Sequence, residues 1–336
     1  MSTSPLVRCF LMLPLLLTLS LSMLLTGCDS GKAPAKSWEN AVKGAYSAAL
    51  SDDGQRSVIG SITHGGSLWS TAKPERLFDW NHKKGEYSNI IAAGFSPDGL
   101  FALTADHQTM VLWDTSTGQA ITFWTAPNEV MSVDLTPNGN YALLALEDYS
   151  AVLFDVKRGG IQRTFYHEDR VRSVALSNDG KLAITGSEDQ TAKLWDMNTG
   201  KELFNWPHND EVTTVALSAD GSKALSVAKY DKAVIWNTQT GKAIGELPLG
   251  ASAIRRGQTF TSARFSDDNK RLLTGNSDRS VQLWDANKLT LLESWTVPKR
   301  DPWKPTSASI LAVSFGAKNK QYYAVASNGF THLLNR

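Results

Sequence analysis

The chain is poor in cysteine, in net charge and in recognisable catalytic motifs. Its only cysteines, Cys9 and Cys28, both fall near the N-terminus. Everything after Cys28 therefore folds without a disulfide and rests on burial alone. Lys and Arg number 34 against 33 Asp and Glu, which excludes the clear basic excess that nucleic-acid binding normally needs. There is one long apolar stretch, over residues 10–25, and none later. No nucleophile elbow, phosphate loop or zinc-binding helix is present. His64, His107 and His332 share no spacing and lack partners at metal-ligand separation, so neither a metal nor a cofactor is expected.

The apolar stretch reads as an export signal: Arg8 supplies the positive start, and small Gly27 precedes Cys28. The run Leu25-Thr26-Gly27-Cys28 resembles the lipobox of bacterial lipoproteins. The resemblance implies cleavage after residue 27, lipidation of Cys28 and a palmitate-type acyl anchor. An uncleaved membrane helix is the alternative, since about 20 apolar residues span a bilayer. By the same resemblance Asp29, directly after the lipidated position, implies retention on the periplasmic side of the inner membrane, with the outer membrane as the other address. Residues 28–37 read as lipidated cysteine and tether, and residues 38–336 as the globular part.

From Ala45 onward one pattern recurs. Turn signals begin at Ser51, Ser96, Thr136, Ser177, Ser218, Ser266 and Gly316, each between two alternating apolar runs. A second landmark follows each by 17 or 18 residues: Trp69, Trp113, Phe154, Trp195, Trp236, Trp284 and Leu334. A third lies 11 residues further on, at Trp80, Trp124, Phe165, Trp206, Leu247 and Trp295. These units resemble WD40 repeats. The resemblance covers the chain from Trp38 on and implies an all-β, seven-bladed propeller. The chain stops two residues after Leu334, so the seventh unit lacks a fourth strand. Trp38 precedes Ser51 by 13 residues, close to the 12 between Trp206 and Ser218. The segment around Trp38 is therefore expected to complete the last blade and close the ring.

His82, His167 and His208 each follow their unit's tryptophan landmark by 13 residues. The family resemblance makes His167, Thr185, Asp189 and Trp195 a structural hydrogen-bonded tetrad. Asp114, Asp155, Asp196 and Asp285 recur in register and read as turn residues, not as a catalytic ring. Three connections between units are long, and they carry Lys83, Lys84, Arg255, Arg256, Lys299, Arg300 and Lys304. Ten of the 11 tryptophans sit on the landmarks or at Trp38, and only Trp303 has no place in the repeat. These basic residues and Trp303 form the candidate partner-binding set, since tryptophan and arginine are enriched in binding hot spots. Inner first strands, sampled at Ala48, Val133, Val174 and Val215, read as ordinary core. The expected function is a non-catalytic, membrane-anchored scaffold for protein–protein interaction at the periplasmic side. The partner is a membrane or periplasmic protein, with no nucleic acid and no small-molecule substrate. A propeller enzyme or small-ligand binder using the central channel is the alternative.

Overall fold

A computed structural model describes residues 31–249, 259–304, 308–318 and 320–336. Cys28, Asp29, Arg255 and Arg256 lie outside these residues. The described chain forms seven antiparallel sheets of four strands. In six of them the strands follow chain order from the inside out, as in blade four: Val171–Leu176, Leu182–Ser187, Thr191–Asp196 and Glu202–Pro207. The seventh combines Ile310–Phe315, Gln321–Ala326 and Phe330–Asn335 with Lys36–Glu39, whose Trp38 lies opposite Thr331. The first strand of the chain thus closes the ring on its last, as the spacing of Trp38 predicts.

Each landmark has a physical role. In the turn after the first strand of blade four, Ser177 Oγ donates to Asp179 Oδ1 at 2.7 Å and accepts from the Leu182 amide at 3.0 Å. Glycine then supplies the positive φ that the turn requires, as Gly180 does at 69°. The two aromatic landmarks meet across blade boundaries. Trp80 stacks on Trp113 of the next blade with centroids 5.1 Å apart, and Trp206 stacks on Trp236 at 4.8 Å. Trp80 and Trp295 are fully buried. The periodic tryptophans are therefore the glue between blades.

Inner strands are tied to one another by side chains, because blades share no backbone ladder. Ser47 Oγ donates to Ile90 O at 2.6 Å, Thr214 Oγ1 to Phe260 O at 2.9 Å, and Ser314 Oγ to Ser51 O at 2.8 Å. Between blades two and three Gly94 lets the strands touch; a Cβ there would sit 2.8 Å from Val133 O.

The tether expectation meets a different arrangement. Residues 31–37 lie against the propeller. The Lys32 amide donates to Ser294 O at 2.9 Å, and Lys32 O accepts from the Thr296 amide at 2.9 Å, extending the outer edge of blade six. Lys32 Nζ pairs with Glu293 at 2.7 Å. Gly31 sits so close that a Cβ would come within 2.7 Å of the Trp295 carbonyl carbon. Elsewhere a landmark indole reaches the outer hairpin of the following blade, as Trp80 Nε1 reaches Gly118 O. Trp295 Nε1 reaches Asn335 O instead, at the chain's end, so the two termini replace the missing hairpin.

Candidate functional site

The propeller has two unlike ends. One, the turn face, carries the tight turns after the first and third strands. The other, the loop face, carries the blade-to-blade connections and the turns between second and third strands. Exposed aromatics divide unequally between them. Tyr46, Tyr87, Tyr149, Tyr166 and Tyr230 are all exposed, as is Trp303 at 94%, and every one lies at the loop face. The exposed large apolar residue at the turn face is Leu100, and the others of that class outside the loop face sit on outermost strands. An exposed Leu is ordinary; six large aromatics gathered at one end are not.

The basic candidates have distinct environments. Lys83 and Lys84 are exposed, with Lys83 Nζ 3.0 Å from Glu86. Lys304 is exposed and lies 3.6 Å from Asp301, and Lys299 Nζ donates to Lys304 O at 3.4 Å. Trp303 makes no side-chain packing contact that would bury it; its amide donates to Asp301 Oδ1 at 3.0 Å, which holds the loop and leaves the indole in solvent. Arg300 differs from the rest. Its guanidinium donates to Ala41 O at 2.7 Å, to Asn328 O at 2.8 and 3.0 Å, and to Glu39 Oε1 at 2.8 Å, and it lies 4.9 Å from the Phe330 ring centroid. It clasps the closing strand of blade seven, so its first duty is intramolecular.

The histidine networks are buried. His167 Nδ1 bonds Asp189 Oδ2 at 2.8 Å, His167 Nε2 bonds Thr185 Oγ1 at 2.7 Å, and Trp195 Nε1 donates to that hydroxyl at 2.9 Å. Burial alone would raise the Asp189 carboxyl, but hydrogen bonds from His167, Thr191 and the Glu168 amide hold it well below the usual range. His82 repeats the pattern with Thr104 and Trp113. In blade five His208 reaches Ser226, while Asp231 stays 3.8 Å away. The recurring Asp196 accepts from the Asn198 and Thr199 amides at 2.8 and 3.0 Å and shapes a turn.

The central channel holds residues that the sampled inner positions miss. One residue further along, the inner strands carry Ala49, Gly94, Asp134, Ala175, Ala216, Arg264 and Ser314, and all of these but Ser314 border the channel cavity. Asp134 and Arg264 break a set that is otherwise Gly, Ala or Ser. They border a cavity of about 230 Å³ at the turn face, together with Asp52 and Asp267. Arg264 is paired with Asp52. Asp134 accepts from the Leu135 amide at 2.9 Å and from Leu176 of the next blade at 2.8 Å. Burial dominates there, with Asp52 adding repulsion, and the carboxyl is pushed up to about 7. Reading one residue further along each strand would have exposed both charges in the sequence. Among the described residues no group of three or more His, Cys, Asp or Glu converges as a metal site.

Asp134 gives a pH prediction with a definite sign. An acid whose folded pKa is raised stabilises the fold below its unfolded value and loses that contribution as pH rises through the folded value. The window runs from about 4 to about 7. Asp134→Asn removes the titration, so its melting temperature relative to wild type should rise by several degrees between pH 5 and pH 8. Parallel melting curves for the two proteins would reveal this.

A family model for the WD domain, G-beta repeat, matches residues 159–196 and 254–285. These segments run from the outer strand of blade three through the third strand of blade four, and cover the first three strands of blade six. Among curated protein sequences none matches this chain. WD40 propellers generally act as scaffolds for protein–protein interaction, usually without catalysis. The chain is thus a seven-bladed β-propeller that carries WD40 repeats in the two matched segments.

Proposed function

We propose that the protein is a lipid-anchored, non-catalytic scaffold that faces the periplasm from the inner membrane and docks a membrane or periplasmic protein on its loop face. One observation carries the docking half: all the exposed tyrosines and Trp303 gather at that end. Tyrosine and tryptophan offer large contact area at low conformational cost and are enriched where partners bind. Lys83, Lys84, Lys299 and Lys304 add charge beside them, and Arg255 and Arg256 belong to the same set by sequence. The anchoring half rests on the lipobox-like run at Cys28 and on Asp29. Only residues 29 and 30 separate Cys28 from the docked Gly31. An anchor there holds the rim of blades six and seven against the membrane.

Crosslinking in intact cells tests the docking half. Trp303→Ala should lower partner capture about tenfold, while leaving thermal stability within about 0.5 kcal/mol of wild type. Capture unaltered by Trp303→Ala and by charge reversal at Lys83, Lys84 and Lys304 would move the site elsewhere. Cys28→Ser should release the protein from membranes; wild-type protein found mainly in the outer membrane would overturn the sorting assignment. A small polar ligand in the central channel is the second reading, favoured by Asp134 and Arg264 facing the cavity.

A further inference from the structure

The loop face is not uniform. Two of its tyrosines adopt a backbone conformation that bulky residues avoid: Tyr149 has φ 72° and Tyr230 has φ 60°. Both sit in the turn between second and third strands. The left-handed residue of this turn is glycine in blades one and seven, Gly65 and Gly329, and is Gln190 and Arg279 in blades four and six, at φ 67° and 77°. Glycine would relieve the steric cost of positive φ there, and the tyrosine rings gain little burial, being 49% and 66% exposed. The left-handed conformation belongs to the repeat, and what blades three and five add to it is a large aromatic ring held out in solvent. Tyr166 lies directly beside Tyr149: its strand pairs Tyr166 with Ser150, and the next amide, His167, donates to Tyr149 O at 2.9 Å.

The surroundings of these rings are acidic. Asp148, Glu168, Asp169 and Asp210 lie in the loops of blades three to five, and none forms an ion pair with a basic side chain among the described residues. The sector's own cations are spoken for: Arg170 pairs with Glu147 at 3.2 Å, Arg172 with Glu188 at 2.6 Å and Lys229 with Glu211 at 3.4 Å. Lys229 Nζ also lies 5.4 Å from the Tyr230 ring centroid, so that ring is placed to take a cation on its face. Lys83, Lys84, Lys299 and Lys304 stand instead near blades one, two, six and seven.

We infer that the tyrosine-bearing acidic sector of blades three to five receives an arginine-rich basic segment of a partner protein. This deepens the scaffold reading and rests on it. Arginine suits the sector because its planar guanidinium stacks on aromatic faces while donating to carboxylates. The basic loops across the face repel the same segment and steer it to this side.

The test uses the purified protein and two labelled nonamer peptides, one alternating arginine with glycine and one alternating glutamate with glycine. The arginine peptide should bind at least tenfold more tightly, with affinity falling as salt rises. Combining Asp148→Asn, Glu168→Gln, Asp169→Asn and Asp210→Asn should remove most of that preference, whereas Lys83→Ala with Lys84→Ala should not. Tyr149→Gly and Tyr230→Gly should weaken peptide binding several-fold while leaving the melting temperature unchanged or higher. Equal binding of the two peptides, or arginine binding that survives the acidic substitutions, overturns the inference. So does a melting temperature that falls in both glycine variants, which makes the rings structural. Crosslinking from Trp303 reports on the scaffold reading separately, since loop-face docking stands if that succeeds and the peptides fail.

Discussion

A chain in which residues 31–39 are deleted, joining the N-terminal segment directly to Asn40, should no longer unfold as one cooperative unit. The deletion removes the strand paired with Phe330–Asn335 and leaves that strand as a free edge. It also strips Lys32 from Ser294 and Thr296, uncovering the blade-six edge beside Trp295. Total stability of a single domain is only about 5–15 kcal/mol, so losing a whole strand and its packing consumes much of it. Urea unfolding should show a broadened transition with a lower midpoint, and the edge should promote aggregation. A graded version is Arg300→Ala. Its four hydrogen bonds reach Glu39, Ala41 and Asn328, and removing them should cost about 2–3 kcal/mol. Lys299→Ala, whose exposed ammonium donates to Lys304 O at 3.4 Å within its own loop, should cost less than about 0.5 kcal/mol. Equal effects of the two substitutions would show that the clasp contributes nothing.

Asp189→Asn should be the most damaging single substitution among the histidine networks, at about 3–5 kcal/mol. The carboxylate accepts from His167, from the Glu168 amide and from Thr191, and an amide cannot replace all of these acceptors. Asp231→Asn is the control. There the carboxylate is 3.8 Å from His208, and a loss of about 1 kcal/mol is expected. The pH dependence separates electrostatics from shape. The Asp189 carboxyl is held below its ordinary value, so its contribution is present above about pH 4 and fades as pH falls through the lower folded value. The gap between wild type and Asp189→Asn should therefore narrow on acidification to pH 3. That is opposite in direction to Asp134, whose contribution fades as pH rises.

The blade count and ring closure were legible because they depend on spacing. A tryptophan every 40 to 50 residues is needed at each blade interface, and Trp38 stood where the last blade wanted its fourth strand. The site was less legible, for reasons that differ by residue. Arg300 looked like one more loop cation, because its partners Ala41 and Asn328 are adjacent only after the ring closes. Tyr149 and Tyr230 escaped notice because strain is a property of φ, which composition does not display. Asp134 and Arg264 were hidden by register: the sampled valines at 133, 174 and 215 sit one residue earlier on the same strands. Residues 31–37 looked like a spacer because they are polar, yet polarity does not prevent an edge strand from docking through its backbone.

The pairing of Lys36 with Leu333 also sets the order of events during synthesis. The two positions are roughly 300 residues apart, so their contact carries the largest loop-closure cost in the molecule. A ribosome or an export channel delivers the N-terminal strand first and its partner last. Six sheets can form as they emerge, since their pairings are local, but the first strand has no mate until the chain is complete. During that interval the exposed edge and the unfilled seventh sheet are vulnerable to misassociation and to proteases. Shortening the chain by its last strand should consequently yield a product that is degraded in full, and not a six-bladed remnant.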